Sequence, residues 1–162
     1  MKNAITFLFL LTAGAAFGQK QVVSAFNANK SGDFSSAAAY IDEAITIEKA
    51  AVKDKTWRYR GEIYLNIAQD SALSPAYPQA LWIARDSYKK AQELDVKESY
   101  KREIIIGLGL VQTTSGNQGI SDYSNENYGP AARKFDLSAE VAGMFDVLDT
   151  MAIFNAALCY EK

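Results

Sequence analysis

The chain has 162 residues, 49% of them hydrophobic and 22% charged, with a formal net charge of −2. That suffices for one domain or a short array of repeats, is too apolar for a disordered chain, and offers no basic face for nucleic acid. The sequence contains no His, the commonest catalytic base and metal ligand, and its single Cys159 excludes an intrachain disulfide.

Residues 1–18 read as a secretory signal peptide: Lys2 gives the positive start, Ile5 to Leu11 the apolar run, and Ala16-Phe17-Gly18 the small-residue exit before Gln19. The run is shorter than the roughly 20 apolar residues a spanning helix needs, so no stable membrane insertion is expected after cleavage. No Cys follows the cleavage point, so no lipid anchor is expected. The mature chain, without Lys2, has sixteen basic against nineteen acidic residues, a charge of −3. The expected destination is the periplasm, the outer membrane or the medium.

Residues 19–162 divide into helical units. In the first (about 19–53), Val22, Ala25, Phe26 and Asn29 share one side of a helix. Ser31-Gly32-Asp33 breaks it, Gly32 suiting a left-handed turn and Asp33 or Ser35 capping the next helix. Phe34, Ala37, Ile41, Ala44 and Ile47 then recur at helical spacing. The second unit (about 54–97) opens with Trp57-Arg-Tyr-Arg-Gly61-Glu-Ile-Tyr64 on a helix ending near Ala68 or Gln69. A loop over Asp70 to Tyr77 follows, with Pro75 and Pro78 as breakers and Pro78 in the first turn of the next helix. That helix carries Ala80, Leu81, Ala84, Tyr88, Ala91 and Leu94 as an apolar stripe.

The third unit (about 98–146) begins with the apolar run Ile104 to Val111, in which Gly107 is aligned with Gly61 and Leu110 with Tyr64. Thr113 to Asn127, rich in Ser, Gly and Asn, reads as a long loop before a helix bearing Ala131, Phe135 and Ser138. A lone helix over 149–162 closes the sequence, with Ile153, Ala157 and Tyr160 in the Trp, Gly and Tyr places. Cys159 is expected there as a small core residue. The sequence stops where its partner helix should begin, so a fragment of a longer protein is expected. Ala37, Ala84 and Ala131 are evenly spaced by 47 residues (84 − 37 and 131 − 84).

The pairing of Trp57-x-x-x-Gly61-x-x-Tyr64 with Ala84-x-x-x-Tyr88-x-x-Ala91 resembles the tetratricopeptide repeat, as does the passage from Gly32 to Ile47. Arg60 departs from the Leu usual in that family. The resemblance implies an all-α, right-handed solenoid of antiparallel helix pairs, about three and a half repeats long and similar to exported repeat proteins of Gram-negative bacteria. It gives packing roles to Trp57, Gly61, Tyr64, Ala37, Ala44, Ala84, Tyr88, Ala91, Gly107, Ala131 and Phe135. It implies a groove lined by the first helix of each pair. By position that groove holds Val22 and Phe26; Lys55, Arg58, Tyr59, Glu62 and Asn66; Lys101, Ile104, Ile105 and Leu108; and Phe154, Asn155 and Leu158. The implied role is a scaffold binding another protein or peptide, with no cofactor, metal or catalysis. Arg58, Lys55 and the aromatics suggest a segment with apolar anchors and a carboxylate. The alternatives are an accessory domain of a longer exported hydrolase or peptidase, its active site beyond residue 162, and a HEAT-like array, which the 47-residue spacing also suits.

Competing chemistry is weaker. Ser87-x-x-Lys90 spells the nucleophile motif of penicillin-recognising enzymes, but Tyr123 replaces the Asn expected after Ser121-Asp122 and no Lys-Thr-Gly occurs. Gly107-Leu-Gly109 has Gln112 where a dinucleotide fingerprint needs its third glycine. Asp42, Glu43 and Glu48 read as a solvated face. Asp70-Ser71-Ala72 and Asp149-Thr150-Met151 resemble short glycosylation signals of exported bacterial proteins, and Asn29-Lys30-Ser31 would be an acceptor only in a secreted eukaryotic chain.

Overall fold

A computed structural model describes residues 18–162, all-α among the described residues. The expected leader, apart from Gly18, lies outside them. Gly18 itself is helical and buried against the side chains of Ile47 and Ala50. Helix α1 runs from residue 18 to residue 30. Gly32, at φ +80°, makes the left-handed turn, and the Asp33 carboxylate accepts from the Ser36 amide at 3.1 Å to start α2 (Phe34–Ile45). A one-turn helix α3 (Glu48–Ala51) leads into α4 (Asp54–Gln69), and a 3-10 turn (Ser74–Ala76) into α5 (Ala80–Leu94). Pro78, expected inside α5, stands just before it. Then come α6 (Lys101–Ser124), α7 (Tyr128–Gly143) and α8 (Thr150–Tyr160).

Helix α4 packs against α2, α5 and α6, while α6 also packs on α5 and α7, and α7 on α8. Small residues set these approaches. Ala37, Ala44, Ala84, Ala91 and Ala131 are wholly buried. A Cβ on Gly61 would stand 2.9 Å from the Tyr88 ring, and one on Gly107 would overlap the same ring from α6. Tyr88 on α5 is thus held between two glycines on two other helices. Ile41, Ile63, Ile67, Ile104 and Leu108 fill the main core, each burial contributing about 1.5–3 kcal/mol. A separate small cluster joins α7 to α8: Ala131, Ala132, Phe135, Ala156 and Cys159.

The stretch expected as a loop over 113–127 is helical to Ser124. Its residues are weak helix formers, but tertiary contacts use their small size and hydroxyls. Ser115 is buried and donates to the Lys134 carbonyl at 2.6 Å; Gln118 donates to the Ala68 carbonyl at 2.7 Å. A Cβ on Gly119 would meet the Phe135 ring at 2.9 Å. Gly119 therefore receives the ring of α7, the place the sequence reading gave to Gly107, and Leu110 is exposed where Tyr64 is buried. With Gly119 as the reference, glycine and ring are 16 residues apart (135 − 119), the same step as from buried Ala25 to buried Ile41 (41 − 25). The additional length of the third unit is helix at the start of α6, with no long loop before α7.

Candidate partner-binding site

The site is built on α1, α4 and the turn before α6. Asp95 sets that turn: its carboxylate accepts from the amides of Ser99 at 2.8 Å and Tyr100 at 2.6 Å, which fixes Tyr100 beside α4. Phe26 of α1 stacks on Tyr59 of α4 with ring centroids 5.0 Å apart. The Arg58 guanidinium lies 4.7 Å from the ring centroids of both Tyr59 and Tyr100. Lys55 stands over Tyr59 at 5.4 Å and Lys30 over Phe26 at 5.5 Å. Glu62 accepts from the Asn29 amide at 3.1 Å, and Asn66 donates to the same Asn29 at 2.9 Å, which stitches α1 to α4.

Arg58 is the centre of this arrangement. Its side chain is only 15% exposed, and among the described residues its one ion pair is a 4.0 Å approach to Glu62 and its buried Nε has no hydrogen-bond partner. Two aromatic faces hold the cation without engaging its in-plane donors. Beside it a cavity of about 530 Å³ opens between Val22 and Val23 of α1, Lys53, Lys55 and Thr56 at the start of α4, and Tyr100. The cavity can seat an apolar side chain between Val22, Val23 and Tyr100, with Lys55 and Asp54 at its wall and Arg58 behind the Tyr100 ring.

Five of the expected groove residues, Lys55, Arg58, Tyr59, Glu62 and Asn66, come together here with Phe26. Two do not. Lys101 is exposed and pairs with Glu98 at 2.8 Å, and Asn155 lines a smaller cavity between α6 and α8. Ile104 and Leu108, also expected to face the groove, are buried in the main core because the face of α6 carrying Gly107 and Val111 packs inward. On α8 the buried residues are Ala152, Ala156 and Cys159; Ile153, Ala157 and Tyr160 are exposed. Sequence reasoning missed Asn29, Lys30 and Tyr100. Their polar or aromatic character at helix ends resembled ordinary surface, although the spacing of Phe26 and Lys30 by one helical turn was a usable signal.

Arg60, the departure from the expected Leu, is mostly buried and joins three helices: its Nε donates to Asp42 at 2.8 Å and its Nη1 to the Ser87 hydroxyl at 2.9 Å. Tyr64 also donates to Asp42, and burial followed by this carboxylate holds its phenol well above the usual range. Burial, then the nearby Glu62, raises the Tyr88 phenol likewise. Asp42 and Glu43 are therefore not a plain solvated face, since Glu43 accepts from Gln21 of α1. Ser87 is fully buried and donates to the Ile83 carbonyl at 2.6 Å, while Lys90 pairs with Glu93 at 2.9 Å. That hydroxyl is not presented to a substrate, and the lysine is directed elsewhere. Among the described residues no group of three or more acidic or Cys side chains is placed to hold a metal, and no helix is long and apolar enough to cross a membrane.

Comparison of the chain with protein-family models, with curated proteins and with solved structures gives no match in any of the three.

Proposed function

We propose that this protein is an exported scaffold of tetratricopeptide-like helix pairs that binds a segment of another protein, without catalysis of its own. The observation that carries the binding role is Arg58, mostly covered between Tyr59 and Tyr100 with its Nε unpaired among the described residues, next to the apolar cavity that Tyr100 and Lys55 line. A buried cation left this way is costly unless something accepts from it, and preorganised Arg and Tyr are the side chains that dominate interface energy. The partner segment would place a carboxylate against Arg58 and Lys55 and an apolar side chain between α1 and Tyr100. Support for a solenoid of helix pairs comes from the neighbour-on-neighbour helix packing.

The test is capture of partners from an extracytoplasmic extract by the parent and by an Arg58→Ala/Tyr59→Ala variant whose circular dichroism matches it. A partner kept by the parent and lost by the variant supports the reading. Equal recovery by both would refute this face as the binding surface.

A further inference from the structure

On another edge of the molecule, the loop after α4 meets the end of α6 and the start of α7 around a cavity of about 390 Å³. Its walls mix flat apolar surface, from Trp82, Tyr77 and three prolines, with the polar side chains of Gln118, Asp122, Arg133 and Lys134. The size lies in the range of small-ligand sites. The polar groups are only partly engaged. Lys134 meets Asp122 Oδ2 at 2.7 Å, and both side chains are about four-fifths covered, which fixes the carboxylate and leaves Oδ1 without a protein donor among the described residues. Gln118 donates to the Ala68 carbonyl, leaving its Oε1 as a free acceptor. Arg133 makes no hydrogen bond or ion pair among the described residues, and neither does the Trp82 indole N–H. The other tryptophan, Trp57, is satisfied internally by the Ala51 carbonyl at 2.7 Å.

We propose that this cavity binds a short saccharide bearing a carboxylate. A sugar ring has an apolar C–H face that lies flat on an indole, and adjacent hydroxyls that donate and accept at once. Asp122 and Gln118 supply acceptors for those hydroxyls, and Trp82 and Lys134 supply donors. Asp122 and Lys134 offset each other, so Arg133, exposed at the rim and within electrostatic reach of Tyr160, gives the cavity one net positive charge, which matches a uronate carboxylate. A peptide segment fits less well, because its backbone does not present vicinal hydroxyl donors to a fixed carboxylate. This site is separate from the Arg58 face and does not depend on it.

The chain has only two tryptophans, so the two indole N–H signals in a proton–nitrogen spectrum form a built-in contrast. Titration with digalacturonate should move the Trp82 indole and the amides of Ser74, Ala76, Tyr77 and Gln79 saturably, and leave Trp57 in place. Arg133→Gln, at an exposed position, should keep the fold and weaken binding at least about tenfold, the scale of losing one charge-assisted contact. Cellobiose should bind as weakly to the parent as digalacturonate does to that variant. The proposal is overturned if digalacturonate leaves Trp82 unmoved, or if cellobiose binds equally well. It is overturned too if acetate alone reproduces the shifts at the same concentration, or if triglutamate binds as tightly.

Discussion

Tyr88 between Gly61 and Gly107 gives the most stringent test of the packing. A Gly→Ala change inside a helix ordinarily stabilises by roughly 0.5–1 kcal/mol, because alanine loses less backbone freedom on folding. Gly109 lies two residues along the same helix with no neighbouring atom within 4 Å of a built Cβ, so Gly109→Ala should show that gain undiminished. At Gly107 the new methyl overlaps the Tyr88 ring, and the ring has little room to retreat because Gly61 closes its far side. Overpacking of this kind costs about 1–3 kcal/mol. The propensity gain is common to both variants, so their difference isolates the overlap. Gly107→Ala should melt about 2–12 °C below Gly109→Ala, at roughly 2–4 °C per kcal/mol for a chain of this size. The assay is thermal and urea unfolding followed at 222 nm. In a Tyr88→Leu background the gap should close, since the ring that is struck is gone. Equal melting of the two alanine variants in the parent background would refute the placement of Tyr88 between the helices.

Arg60→Leu, which restores the side chain the motif resemblance expects, should destabilise by about 1–3 kcal/mol in urea unfolding, because Asp42 and Ser87 lose their shared cation; a gain in stability would show that the ionic junction is worth less than an apolar one. Asp149→Ala should cost about 1–2 kcal/mol at neutral pH through loss of the α8 cap. The Ala152 amide, with the Gln112 and Ser138 side chains, holds the Asp149 carboxyl below its ordinary value. Its contribution is therefore complete above the unfolded value near about 4 and is lost as pH falls through the lowered folded value. The gap between parent and Asp149→Ala should narrow from pH 7 to pH 2; an unchanged gap would refute the linkage.

Much of the helical organisation was legible because local signals agreed with the tertiary demand. Gly32 and Asp33 mark a turn and a cap by their own chemistry, and the Ala84–Tyr88–Ala91 stripe has one period only. The 113–124 stretch failed for the opposite reason. Ser115, Gly116 and Gly119 are poor helix formers in isolation, and their value as small contact surfaces for α7 exists only once α7 is in place. That misreading also moved the ring-receiving glycine from Gly119 to Gly107. At the candidate site, Lys55, Arg58, Tyr59, Glu62 and Asn66 were grouped through the motif resemblance, and the structure places them on one helix, α4. Tyr100 was not, since it arrives from a turn whose geometry depends on the buried Asp95 carboxylate. Arg60 looked like a flaw in a motif because no single helix reveals that Asp42 and Ser87 converge on it.

The two cores have a mechanical consequence. Helices α1 to α7 share one continuous apolar interior, whereas α8 is fastened by the five-residue cluster around Phe135, by Gln112 and Ser138 donating to Asp149, and by the Tyr160 hydroxyl donating to Asp136. Tension applied along the chain at Tyr160 would load those few contacts one after another, like a strip being peeled, and α8 would come away at low force. The next joints resist differently. To separate α6 from α5 the Tyr88 ring must be drawn out from between two glycine backbones at once, so extension would stall there as a discrete step. A single-molecule stretching trace of this chain would then read out the ring as a catch midway through the helices.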